Sequence, residues 1–202
     1  DEGAKAIGKA LEGNETLKYL DLSGNAFSDE ATTAIGKALA QNETAQFERL
    51  VLSNFTWKKN RKAWHLSGKG LTDNDKRGIE AMLQIKVLKW TSINLSNSEI
   101  GDEGAKMIAT ALEGNETLKE LNLRENSLGV EGAKAIATAL EGNAIMEKLD
   151  LSANAFGDEG AKAIGKALEG NETLKELNLS ANAFGDEGAK AIATALEGNE
   201  TL

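Results

Sequence analysis

Two hydrophobic periodicities alternate along the chain. In Leu118-x-x-Leu121-x-Leu123 the last two leucines are spaced by two, which points both to one side of a short strand. From Asp102 to Leu112 the apolar positions Ala105, Ile108, Ala109 and Leu112 have helical spacing. Asp102 is placed to cap that helix at its start, and Gly114 can take the left-handed turn that ends it. The strand motif, with an asparagine three residues on, occurs as Leu17, Leu20, Leu22, Asn25, Phe27 and again as Leu118, Leu121, Leu123, Asn126, Leu128. It returns as Met146, Leu149, Leu151, Asn154, Phe156 and as Leu174, Leu177, Leu179, Asn182, Phe184. A variant reads Trp90, Ile93, Leu95, Ser98, Ile100. Successive motifs from Leu95 onward lie 28 residues apart, and residues 1–17 recur unchanged at 158–174.

A unit of one strand and one helix cannot bury its apolar sides alone; stacking neighbours buries them together. The expected class is α/β, with six or seven parallel strands forming an inner, concave face and seven helices an outer, convex one. The helices are expected near 2–12, 30–40, 74–85, 102–113, 130–141, 158–169 and 186–197. The motif asparagines are expected to bond backbone groups that lack partners where the chain leaves each strand.

The motif LxxLxLxxN-x-[L/F], followed by Gly-Asp-Glu-Gly-Ala-Lys-Ala-Ile-Ala-x-Ala-Leu, resembles the ribonuclease-inhibitor-like class of leucine-rich repeats. That class includes the sensor domains of NOD-like receptors and the Ran GTPase-activating proteins. The resemblance covers most of the chain outside roughly 45–63. It implies a curved solenoid spanning 1–202 as one domain, and a protein-binding role as the recognition or scaffold part of a larger protein. A consensus-like or fragment building block without a dedicated ligand is the alternative, and a GTPase activator ranks behind both. Fold alone does not decide among these.

The register breaks between the second and third units. Leu22 and Leu66 occupy equivalent positions 44 residues apart, and Phe47-x-x-Leu50-x-Leu52 reads as an additional strand between them. Only 14 residues separate Leu52 from Leu66, too few for a helix and two turns, so 45–63 holds a truncated repeat or an insertion. Segment 53–63 should lack a full helix and be exposed or mobile, with Phe55 and Trp57 covering the gap on the helix side.

Charge sharpens the contrast. The chain carries −9 overall, but 45–90 holds ten Lys or Arg against four Asp or Glu, a net of +6 that leaves −15 for the remainder. The same stretch holds five of the nine aromatic residues. The basic run Lys58, Lys59, Arg61, Lys62 reads as a solvated loop or, with the aromatics, as a docking patch for an acidic protein partner, with a nuclear-localisation signal ranked behind both. Net acidity makes nucleic acid a poor candidate. No apolar stretch is long enough to span a membrane. The absence of cysteine and of a signal-peptide pattern favours the cytoplasm.

Catalytic chemistry finds little support, and no cofactor is implied. His65 is the only histidine, there is no cysteine, and the repeated Gly-Asp-Glu-Gly lacks the order of a phosphate or calcium loop. Arg124 stands where the other units carry Ser23, Ser152 and Ser180; it reads as a weak echo of a GTPase-activator loop or as an exposed partner of Glu125 or Glu120. The candidate protein-binding residues are Tyr19, Arg49, Trp57, Lys58, Lys59, Arg61, Lys62, Trp64, His65 and Arg124. Asp1 opens directly on a helix and Leu202 stops where a strand would follow. With no polar capping unit at either end, the chain reads as part of a longer array, and its bare ends are expected to pair with one another.

Overall fold

The computed structural model describes residues 2–17, 19–22, 34, 35, 38, 49–52, 55–58, 63–65 and 90–202. In chain order the elements are α1 (Glu2–Glu12), β1 (Tyr19–Asp21), β2 (Arg49–Leu52), β3 (Phe55–Lys58), β4 (Ala63–His65) and β5 (Ser92–Asn94). There follow α2 (Gly101–Leu112), β6 (Glu120–Asn122), α3 (Val130–Glu141), β7 (Lys148–Asp150), α4 (Gly157–Leu168), β8 (Glu176–Asn178) and α5 (Asp186–Glu197). Five of the seven expected helices are present within a residue of their expected bounds. Ala34, Ile35 and Ala38 are helical inside the expected 30–40, and 74–85 lies outside the described residues.

The strands β4 to β8 form one parallel sheet in chain order, with Trp64, Ile93, Leu121, Leu149 and Leu177 in a single row. Ile93, Leu121 and Leu149 of that row are buried, as are Leu95, Leu123 and Leu151 beyond it. Helices α2 to α5 pack side by side over this row and contribute Ile108, Ile136 and Ile164 to the same core. Each fully buried side chain of this kind stabilises by about 1.5–3 kcal/mol relative to its exposed state. At Gly165 the next helix comes so close that a Cβ would sit 2.8 Å from the Ala191 carbonyl oxygen.

The expected parallel pairing forms, β1 with β2 and β4 through β8 in order, but one strand among the described residues runs against it. β1 and β2 are parallel, but β3 runs antiparallel to β2, and among the described residues the strands divide into sheets of three and five. Leu52 pairs with Phe55, so only two residues separate the paired strands in sequence. A parallel return needs a crossover of a dozen or more residues, whereas two suffice for a hairpin. The irregular segment thus lacks a helix in its described part, as expected, and Phe55 and Trp57 lie in β3, a strand that the repeat pattern does not predict.

Asparagine ladders tie each unit to the next. Asn154 Oδ1 accepts the backbone N–H of Asn126 and of Leu128, each at 3.0 Å, while its Nδ2 donates to the carbonyls of Leu123 and Leu151. Asn126 treats Ser98, Ile100 and Leu95 in the same way, and Asn182 does so for Asn154 and Leu151. The flanking residues Glu125, Ser127, Ala153, Ala181 and Ala183 have φ between 53° and 56°, left-handed turns that residues with a Cβ adopt only when the surroundings hold them there. A second ladder follows the helices: Asn171 Nδ2 donates to the carbonyls of Leu140 and Asn143, and Asn199 Nδ2 to those of Leu168 and Asn171.

Helix capping runs between units and not within them. Asp102 lies in the first turn of α2, and Ile100, the residue that precedes that helix, makes no side-chain cap. The Asp102 carboxylate instead accepts the N–H groups of Gly129 and Gly132 at the start of α3, both at 2.8 Å. Asp158 does the same for Gly185 and Gly188 of α5, and these backbone bonds hold its carboxyl below the usual carboxylate range. Gly114 does take the left-handed turn after α2, with φ 76°. Where Asp would cap α4, the chain has Val130. There Gly157 adopts φ 58°, gives its N–H to the Asn182 carbonyl, and α4 begins one residue earlier in the repeat than α3 and α5.

Two outcomes follow for stability. Asn154→Ala leaves two buried N–H groups without acceptors, at about 1–3 kcal/mol each; chemical denaturation should show a loss of roughly 3 kcal/mol or more. Val130→Asp supplies the carboxylate that α4 lacks and, at the roughly 1 kcal/mol of a good cap, should raise the melting temperature by about 2–4 °C in a calorimetric scan.

Candidate functional site

The strands present two rows away from the core. Ser92, Glu120, Lys148 and Glu176 stand in one, Asn94, Asn122, Asp150 and Asn178 in the other. A cavity of about 720 Å³ opens over β5 to β8 and is lined by both rows together with Lys175 and Leu202.

Local bonds fix the second row. The side-chain oxygens of Asn94, Asn122, Asp150 and Asn178 each accept the N–H two residues on, from Ser96, Arg124, Ser152 and Ser180. This arrangement orients each side chain across the strand end. It also leaves the Nδ2 groups of Asn94, Asn122 and Asn178 as donors without a protein acceptor among the described residues.

Charge alternates across the strands in two antiphase rows. Just before the strands, Glu147 is clasped by Lys119 on one side and Lys175, at 3.0 Å, on the other. One residue later the signs invert: Lys148 lies between Glu120 and Glu176 and pairs with Glu176 at 2.7 Å. The alternation arises because β6 and β8 are entered through Lys119-Glu120 and Lys175-Glu176, whereas β7 between them is entered through Glu147-Lys148. The two lysine hydrogen bonds hold the Glu147 carboxyl down at about 2.

The candidate residues taken from the sequence divide into groups. Strand pairing brings Tyr19, Arg49 and Lys58 abreast in one row, and places Trp57 opposite Leu50, which pairs with Leu20. Tyr19 is 49% exposed. Trp64 is in register with buried Ile93, and His65 with Asn94 at the margin of the cavity row. Lys59, Arg61 and Lys62 lie outside the described residues. Arg124 forms an exposed ion pair with Glu125. Most of the sequence candidates lie before residue 66, whereas the cavity lies over β5 to β8. Lys175 and Leu202, which line it, are not among the sequence candidates; the inverted pair Glu147-Lys148 is the signal in the sequence that marks this face. No cluster of three or more His, Cys, Asp or Glu suited to a metal ion occurs among the described residues. Nor is any of their helices long and apolar enough to cross a membrane.

Because its folded pKa is depressed, Glu147 contributes stability above about pH 4.5 that is lost as pH falls toward 2. The stability difference between the parent chain and Glu147→Gln should therefore be present at pH 7 and disappear toward pH 2. High salt should shrink it at pH 7, as exposed pairs are screened. Thermal melts across that range check both effects.

A family model described as leucine rich repeat matches residues 13–36, 91–109, 114–137, 142–165 and 170–193. No curated protein matches the sequence. Among solved structures, the tropomodulin C-terminal domain of Caenorhabditis elegans is 16% identical with a TM-score of 0.48, covering 97% of this chain and 92% of that one. The leiomodin-1 actin-binding site 2 is 17% identical with a TM-score of 0.43, covering 98% and 88%. Neither likeness carries an argument about function. Five matched repeats over more than half of its length, laid out as a strand-and-helix solenoid, show that the chain belongs to the leucine-rich-repeat family.

Proposed function

We propose that the chain is a protein-binding module whose strand face takes up a segment of a partner protein. The observation that supports this is the cavity over β5 to β8, where the Asn94, Asn122 and Asn178 amides point toward no protein acceptor among the described residues. A small-molecule pocket is usually enclosed and predominantly apolar. This surface is polar, of mixed charge and built from several repeats, which suits the carbonyls and alternating charges of a polypeptide. The 28-residue strand-and-helix unit favours the ribonuclease-inhibitor-like class, and the lack of cysteine favours a cytoplasmic setting.

One observation favours the building-block reading: the charges of the strand face largely satisfy each other, with Glu147 held between two lysines. An acidic partner would instead engage the run Lys58, Lys59, Arg61, Lys62, and its affinity would fall with salt.

Selection of a displayed peptide library on the chain discriminates these readings. Selected binders should lose at least tenfold in affinity with the double variant Asn122→Asp, Asn178→Asp, which keeps the oxygen that accepts the local N–H and removes only the Nδ2 donor, at an almost unchanged melting temperature. Loss only with Lys58, Lys59, Arg61 and Lys62 all changed to Ala moves the site to the basic run. Enrichment of no sequence supports the building block.

A further inference from the structure

Asp150 interrupts a row of amides. On β5, β6 and β8 the equivalent residue is asparagine, and Asn94, Asn122 and Asn178 each use Oδ1 to accept the N–H two residues on. Asp150 does the same with its own Oδ1, which takes the Ser152 N–H at 2.9 Å and the Ser152 hydroxyl at 2.6 Å. The turn therefore needs one oxygen, and either residue type supplies it. What differs is the second atom: three strands offer an N–H donor there, and β7 offers a charged acceptor. Asp150 Oδ2 accepts no hydrogen bond among the described residues.

The cations of this face are engaged elsewhere. Lys148 lies between Glu120 and Glu176 but bonds Glu176, and Lys175 bonds Glu147. Arg124 is near enough to feel the charge of Asp150, yet its guanidinium is held by Glu125 through Nε at 2.9 Å and Nη2 at 2.6 Å. Glu120 forms no ion pair among the described residues. It stands two residues before Asn122, the strand partner of Asp150, so Glu120 and Asp150 are diagonal neighbours on one face of the sheet. Such positions are roughly 7–8 Å apart. Both residues line the cavity, which thus holds two carboxylates that no cation of this chain neutralises among the described residues.

We propose that the segment taken up by the strand face is anchored by an arginine whose guanidinium bridges Asp150 and Glu120. This rests on the reading of that face as a docking site for a polypeptide. A guanidinium is planar and carries five N–H donors, enough to serve two carboxylates at once, whereas an ammonium is a compact point charge. The amides of Asn122 and Asn178 flank Asp150 at one strand spacing on either side, about 4.8 Å. They serve the segment's backbone carbonyls beside the arginine. The site selects a charge opposite to the one that the run Lys58, Lys59, Arg61, Lys62 would select.

Two displayed peptide libraries selected on the chain provide the test, one encoding all amino acids and the other neither Arg nor Lys. Binders should come from the first library and carry an arginine. In fluorescence anisotropy with those peptides, Asp150→Asn and Glu120→Gln together should weaken binding at least tenfold. Asn is the residue that β5, β6 and β8 carry, so the turn is kept. The control Glu113→Gln, Glu169→Gln removes the same charge from exposed positions at helix ends and should change affinity less than about twofold. Replacing the peptide's arginine by glutamine should cost as much as the Asp150 and Glu120 changes, and nothing more once those are made. Arginine-bearing binders indifferent to Asp150 and Glu120 would overturn the proposal. So would binders from the second library that match the first in affinity and lose it with Asn122→Asp, Asn178→Asp, although the docking reading would then stand. Enrichment from neither library overturns both.

Discussion

The structure depends on a single constraint, the supply of partners for backbone groups where the chain leaves each strand. A leucine-rich unit turns abruptly there, and its N–H and C=O groups point along the stack with no ladder to join. An asparagine side chain reaches across to the unit before it with both an acceptor and a donor, so one residue satisfies groups in two units. The left-handed residues beside Asn126, Asn154 and Asn182 are tolerable because these bonds hold the turn.

Much of this was legible in the sequence because leucine and asparagine spacing repeats often enough to average out local noise. The helices from 102 onward and the role of Asn126 could be read from periodicity and from the chemistry of the amide. Reading failed where the partner of a residue is set by stacking. Asp102 at the head of a helix looks like a local cap, yet its acceptor role is directed 27 and 30 residues onward, a relation that no window along the chain contains. The hairpin of β2 and β3 was hidden for a different reason: Phe47-x-x-Leu50-x-Leu52 announced one strand, but the alternation of Phe55 and Trp57 was read as filling for a missing helix rather than as a second strand paired with the first.

The candidate site was partly legible. The outward strand positions followed from the period of two, and register confirmed their rows. Their value was not legible, because aromatic and arginine anchors attract attention while small amides do not. The cavity owes its character to amides whose oxygens are occupied and whose nitrogens are not, and that distinction exists only once hydrogen bonds are assigned. The candidates Tyr19, Arg49 and Lys58 are brought abreast by the parallel pairing of β1 and β2, which the repeat predicts, and the antiparallel pairing of β3, which it does not.

The antiphase charge rows have a consequence for how such a chain can grow or shrink. Tandem repeats of near-identical sequence gain and lose copies readily by slippage, and a 28-residue unit drops out without disturbing the leucine register. Here the unit between Lys119 and Lys175 bears the opposite order of signs. Its deletion would bring lysine beside lysine and glutamate beside glutamate at the roughly 4.8 Å spacing of neighbouring strands. Copy number is thus free in the core and constrained at the surface. Units are exchanged most easily in pairs, and the order of otherwise interchangeable repeats is written in their charges.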